Sequence, residues 1–227
     1  GSMLITCWSV KGGSGTTVVA SSLALLLAER AVDTCLVDLG GDVPAALGLT
    51  EPDGPGIGDW LNAATISSAR VPDPSTVGSS LAALELHVAP SLAVLPLGHR
   101  CCRPLASWST LAAHLASSPR AYIVDGGTNA LPPLLRSLAL HDYLVVRGCY
   151  LALRRAVNLC PRPSGVVHVA EPGRVLRAPE VEAACGVPLV AEIAWDPAIS
   201  RSVDSGQLRS RMPTALRLAL EALPCMP

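Results

Sequence analysis

Short runs rich in Val, Ile and Leu alternate along the chain with longer apolar stretches of helical character. "MLITCWSV" (3–10), "TCLVDL" (34–39), "AYIVDGG" (121–127), "YLVVRG" (143–148), "GVVHVA" (165–170) and "PLVAEIAW" (188–195) predict strands. The near-continuous hydrophobicity of 34–39 predicts a strand buried on both faces. "LELHVAPSLAVLPLG" (84–98) alternates and predicts a strand or hairpin. "TTVVASSLALLLAER" (16–30) is apolar almost all round and predicts a buried helix. Further helices are expected over 104–118, 149–159, 178–185, 197–206 and 213–222. The Gly/Pro-rich segment 40–60 predicts loops with a short helical turn, and Asp59 is placed to cap a short helix over 60–64. Segment 67–80 predicts a loop or flexible insertion. Strands alternating with helices predict an α/β fold: a three-layer, mostly parallel sheet flanked by helices, in a single domain over 3–227. Gly1 and Ser2, before Met3, read as a cloning scar.

Composition narrows the picture. Of the 227 residues, 50% are hydrophobic and 15% charged, and aromatics are 3% with no Phe, so the core must be built from Ala, Val and Leu. A net charge of −1 excludes a general polyanion binder. The eight cysteines form no CxxC pair, which predicts reduced thiols in a cytoplasmic protein and no zinc site; Cys101-Cys102 is the adjacent pair. The longest uncharged apolar run, 16–28, falls short of a membrane span and ends at Glu29 and Arg30. "TALRLALEALPCMP" at the C-terminus makes a poor membrane-targeting helix. The five histidines are scattered without ligand or triad spacing, and Trp60, Trp108 and Trp195 are expected to pack under helices.

The chemistry is concentrated in "KGGSGTT", Lys11 to Thr17, between the first strand and the first helix. Glycines let backbone N–H groups cradle phosphate oxygens, and the helix N-terminus behind them adds partial positive charge. Thr17 stands where a hydroxyl would hold Mg²⁺, and two later strands end in the acids Asp38 and Asp125. Lys11 is the chain's one lysine, every other basic side chain being arginine. A compact ammonium does what a planar guanidinium cannot, so a single lysine kept inside a phosphate loop reads as functional.

On these residues the chain resembles the MinD/ParA group of deviant-Walker P-loop ATPases, whose pattern is K-G-G-x-G-K-[ST]. The resemblance implies that Lys11 is the signature lysine, which reaches across a homodimer to the partner's phosphates. It further implies that Gly12, Gly13, Ser14, Gly15, Thr16 and Thr17 form the loop for ATP or ADP, and that Thr17, Asp38 and Asp125 hold Mg²⁺. "CLVDLGGDVPAALGL" (35–49) is similar to the family's second strand and first switch region, "YLVVRGCYLALRRAVNL" to a following strand–helix segment, and "PLVAEIAWDPAISRSVDSGQL" to its P-x-D…A-x-x-x-G stretch. Glu171-Pro172 stands where the family reads adenine with Asn-Pro. The divergence is similar to the atypical CpaE/TadZ-like and septum-site-determining-like branch.

Three departures matter. Thr16 replaces the loop lysine, and losing a charge-assisted contact weakens binding by about 1.5–3 kcal/mol, roughly 10- to 150-fold. The second switch acid is absent because the pattern reads Asp38-Leu39-Gly40, leaving Asp42 as the nearby substitute. Glu171 takes the place of the base-reading Asn. The expectation is therefore a nucleotide-binding dimeric switch that recruits an unidentified protein partner and positions a cellular assembly, with ATP hydrolysis slow or absent; Lys11, Asp38 and Asp42 are the catalytic candidates. The alternative is a pseudo-ATPase scaffold that binds no nucleotide. Arg201, Arg209, Arg211 and Arg217 lie where family members contact DNA. Asp196, Asp204 and Glu221 are interleaved with them, which disfavours DNA as a partner. Arg154 and Arg155 read as solvated helix residues.

Overall fold

Alternating side chains of one strand feed two separate cores. In the computed structural model, which describes residues 2–66, 73–99, 105–128, 131–148, 160–173 and 177–226, strand β1 (Met3–Trp8) sends Leu4 and Trp8 into one hydrophobic cluster and Ile5 and Cys7 into the other. The remaining strands are β2 (Thr34–Asp38), β3 (Leu86–Ala89), β4 (Leu92–Leu95), β5 (Ala121–Asp125), β6 (His141–Arg147), β7 (Gly165–Ala170) and β8 (Leu189–Ala194). They form one sheet in the order β3-β4-β2-β5-β1-β6-β7-β8. Every pairing is parallel except the β3–β4 hairpin at one edge. Buried parallel strands need both faces covered, which is why β2 and β5 are buried at every position.

Helices α1 (Thr16–Glu29) and α9 (Thr214–Glu221) cover one face through Leu23, Leu27, Leu216 and Leu220. On the other lie α3 (Ile57–Ile66), α4 (Pro74–Ala82), α5 (Leu105–Ser117), α6 (Pro133–Leu138) and α7 (Ala178–Cys185), which contribute Leu61, Val77, Trp108, Leu135 and Val181. Two further helices, α2 (Val43–Ala46) and α8 (Pro197–Asp204), lie in the segments that follow β2 and β8. The α/β three-layer expectation is met. A buried ionic knot ties β1 to β6 and α6. The Asp142 carboxylate accepts from Thr6 Oγ1 at 2.6 Å, Trp8 Nε1 at 2.7 Å and Arg136 Nε at 2.9 Å, and the guanidinium sits 4.0 Å from the centre of the Trp8 ring.

The structure departs from the sequence expectations at three elements. α3 starts at Ile57, so Asp59 is not the cap of a 60–64 helix. It lies in the first turn and reaches back, Oδ2 accepting from the Gly56 N–H at 2.8 Å and the His99 N–H at 3.0 Å. Residues 74–80, part of the 67–80 segment expected as loop, belong to α4, because Pro74 suits a first helical turn and Val77 and Leu81, four apart, bury together. α6 was not anticipated and also opens on a proline. The helix expected over 149–159, with Arg154 and Arg155, lies outside the described residues, as do Cys101, Cys102, Cys149 and residues 67–72. The described cysteines are all free thiols, and among the described residues no helix is long and apolar enough to cross a membrane.

Candidate functional site

Parallel strands bring their C-terminal ends to one edge, so the segments after β1, β2, β5, β6 and β7 converge. The loop after β1 is held from within: Ser9 Oγ and Ser14 Oγ both donate to the Lys11 carbonyl, at 2.9 and 2.8 Å. It is anchored to the β5 end by the Ser9 N–H, which donates to the Gly127 carbonyl at 3.0 Å. Gly15, at φ +90°, makes the left-handed turn that starts α1, a conformation other residues reach only with strain. No acid lies in the first turn of α1, so its N–H groups face the loop cavity with their partial positive charge uncontested.

Two buried polar atoms in this cradle have no hydrogen-bond partner: Thr16 Oγ1 and Asp125 Oδ2. Buried groups left in that state are costly, and a ligand or cation is what normally satisfies them at such a place. The other Asp125 oxygen accepts from the Gly127 N–H at 2.9 Å, and the Thr17 hydroxyl also hydrogen-bonds this carboxyl. Burial pushes the Asp125 carboxyl up to about 6, against the pull of the Thr17 and Gly127 contacts. Thr17 and Asp125 are thus the pair able to hold a hydrated divalent cation. Among the described residues no cluster of three or more His, Cys, Asp or Glu is placed to hold a metal ion.

Asp38 lies beside Asp125 across the β2–β5 register. Its two oxygens are taken by backbone: Oδ1 accepts from the Gly41 N–H at 2.6 Å and Oδ2 from the Val43 N–H at 3.3 Å. It borders a small cavity of about 160 Å³ with Glu51 and Gly98 rather than the loop cavity. Burial, then the neighbouring Asp125, push its carboxyl up to about 7. The loop cavity, about 340 Å³, is bounded by Gly13 to Val18 on one side and by Gly40, Asp42, Gly127 and Thr128 on the other. Asp42 is exposed at its rim, and Gly40 presses against the β5 end: a Cβ there would stand 3.4 Å from Gly127 Cα and 3.5 Å from Asp125 Oδ2. Lys11 and Gly12 are exposed.

A second, apolar pocket of about 180 Å³ adjoins the loop, with Val18, Val169, Ile193 and Val203 among its walls. Arg147, not singled out by the sequence reading, and Trp195 stand at it. Arg147 ties the β6 end to the loop by donating from Nη1 to the Gly13 carbonyl at 3.2 Å. Its Nε donates to Glu171 Oε1 at 2.8 Å, and its guanidinium stacks 4.6 Å from the centre of the Trp195 ring. Glu171 is therefore engaged by an arginine, and Pro172 beside it is exposed. Trp195, expected under a helix, is 37% exposed instead. The only sequence signal for the pair is position: a basic and an aromatic residue at the ends of two strands. The structure thus gathers Gly13 to Thr17 and Asp42 around one cavity, with Asp125 buried behind Thr17 and Gly127, Lys11 and Gly12 exposed on the loop, Glu171 beside the second pocket and Asp38 bordering a third.

No protein-family model matches the chain. The uncharacterized protein Rv3660c of Mycobacterium tuberculosis strain H37Rv is 29% identical over 245 residues, an alignment covering 94% of this chain and 62% of that protein. Its counterpart MT3760 in strain CDC 1551 gives the same figures. The chain thus spans about 62% of the length of these relatives. Among solved structures, the MinD cell division protein of Aquifex aeolicus superposes with a TM-score of 0.72 at 18% identity, over 97% of this chain and 94% of that one. A ParA family ATPase from Chlorobium tepidum gives 0.69 at 22% identity, over 97% of both chains. The septum site-determining protein MinD from Pyrococcus horikoshii, solved with Mg-ADP, gives 0.67 at 16%, over 97% and 93%. The chain has the fold of the MinD/ParA P-loop ATPases.

Proposed function

We propose that the chain is a MinD/ParA-like switch, in which Mg-nucleotide at the Lys11–Thr17 loop joins two copies and the joined form recruits a protein partner. The observation that carries this reading is the pair of orphaned atoms, Thr16 Oγ1 and Asp125 Oδ2, in a glycine cradle at a helix N-terminus. The residues fit the nucleotide that the Pyrococcus relative holds as Mg-ADP. Backbone N–H groups of Gly13 to Thr17 would meet the phosphates, Thr17 and Asp125 would hold the cation, and the Arg147–Trp195 pocket would take the base. Bound Mg²⁺ would neutralise phosphate charge that the uncharged Thr16 leaves unopposed. Lys11, exposed on the loop, would reach a second copy.

Turnover is slow or absent on this reading. Gly40 offers no carboxylate, Asp38 spends both oxygens on backbone amides, and Asp42 is the acid left at the cavity rim. The work of the switch would be positioning: division machinery, as the name of the Aquifex MinD protein says of that protein, partition machinery, or a pilus assembly in the CpaE/TadZ-like branch, in the cytoplasm. A second reading, a scaffold that binds no nucleotide, draws on the buried, uncharged Thr16. Sedimentation velocity separates them. The switch predicts a monomer that becomes a dimer on adding Mg-ATP; a mass that does not respond to Mg-ATP favours the scaffold.

A further inference from the structure

Half of the ten arginines among the described residues are committed. Arg30, Arg120, Arg136, Arg147 and Arg217 each face a carboxylate within 4 Å. Arg201 and Arg211 do not: both are exposed, and among the described residues neither guanidinium has an acidic partner. They line the same cleft, about 840 Å³, between the end of α8 and the start of α9. The turn that carries Arg211 is held in place. Buried Ser202 donates from Oγ to the Arg211 carbonyl at 3.0 Å, the Gln207 N–H donates to the Ser202 carbonyl at 2.7 Å, and the Arg211 N–H donates to the Gln207 carbonyl at 2.7 Å. Half-buried Met212 and Pro213 give the cleft an apolar wall, and Asp204 is its one acid.

The cleft is also linked to the loop site. Gly206, within the turn between the two arginines, packs backbone to backbone on Gly48, so closely that a Cβ on Gly48 would lie 2.2 Å from the Gly206 carbonyl oxygen. Gly48 follows α2, and α2 begins after Asp42, at the rim of the loop cavity. α2 thus joins the rim of the loop cavity to the turn beside the cleft.

We propose that this cleft docks an acidic segment of a protein partner, with α2 relaying the state of the loop site to it; the relay, though not the cleft, rests on the switch reading. Two unpaired guanidiniums in a concave site fit carboxylates, and Met212 with Pro213 fits side chains between them. Nucleic acid is the poorer match, because a phosphate backbone presents no apolar side chains to the Met212–Pro213 wall.

The test is fluorescence anisotropy of fluorescein-labelled octaglutamate with the full chain, against a short duplex DNA of equal charge. The cleft predicts that Arg201→Ser with Arg211→Ser weakens peptide binding by at least about fivefold, that Asp204→Asn strengthens it about twofold, and that exposed Arg162→Ser leaves it unchanged. The opposite signs of the arginine and Asp204 variants separate docking from loss of fold. Equal loss in Arg162→Ser, no loss in the double variant, or tighter binding of the duplex overturns the cleft. Adding Mg-ATP is predicted to change peptide affinity; if calorimetry shows ATP bound while peptide affinity does not move, the relay is overturned. If ATP does not bind and the arginine dependence remains, the switch reading falls while the cleft stands.

Discussion

Thr16 and the two strand-end acids set what the loop can do. Thr16 is buried with an orphaned hydroxyl, at the position where a loop lysine would bring a charge. Thr16→Lys is therefore expected to tighten Mg-ATP binding by about 10- to 150-fold, read by calorimetry. An unchanged affinity would show that the cavity cannot present a cation from this position. Asp38 and Asp125 both have carboxyls raised from 3.8, to about 7 and about 6, with burial the largest cause. A raised acid binds its proton more readily folded than unfolded. Its stability contribution is present in full below 3.8 and is lost as pH rises through 6 and 7. Denaturant titrations of the metal-free protein are expected to show stability falling between pH 4 and pH 8. Asp38→Asn should flatten that slope and gain about 2 kcal/mol at pH 8, part of the relief being offset by weakened contacts to Gly41 and Val43. A slope unchanged in the variant would contradict this. The sequence was legible at Lys11 to Thr17 because a glycine loop between a strand and a helix leaves few other readings. Arg147 and Trp195 were not legible, since their meeting depends on the lateral order of β6, β7 and β8.

At the scale of elements, apolar runs located the strands well because the parallel sheet buries both faces and leaves no polar alternation to misread. Helix α4 was lost because its Pro, Ser and Gly content looks like loop, and α6 because six residues are too few to show a period, while the burial of Val77, Leu81 and Leu135 decides otherwise. Two element junctions make sharp predictions. Asp142→Ala strips Arg136 of its carboxylate in the knot joining β1, β6 and α6, where Arg136 is only 6% exposed. It is expected to cost about 3–5 kcal/mol in chemical denaturation, and a loss under about 1 kcal/mol would show that the knot is not structural. Gly48→Ala forces a Cβ into the Gly206 backbone at a φ of +65°. It should destabilise by about 2 kcal/mol or more, whereas Gly54→Ala, with open space around it, should be nearly neutral.

For the whole molecule, the sheet order, the two cores and the convergence of strand ends reproduce the MinD/ParA architecture at low sequence identity. That agreement concerns the fold; the switch itself rests on the loop retaining ligand affinity without its second lysine. Calorimetry with Mg-ATP, on the intact chain and on Lys11→Ala, tests this directly. The account predicts binding in the intact chain that Lys11→Ala weakens about tenfold or more, because an exposed lysine would be supplying the charge that Thr16 lacks. Absence of heat at millimolar ATP, or binding indifferent to Lys11, would contradict it.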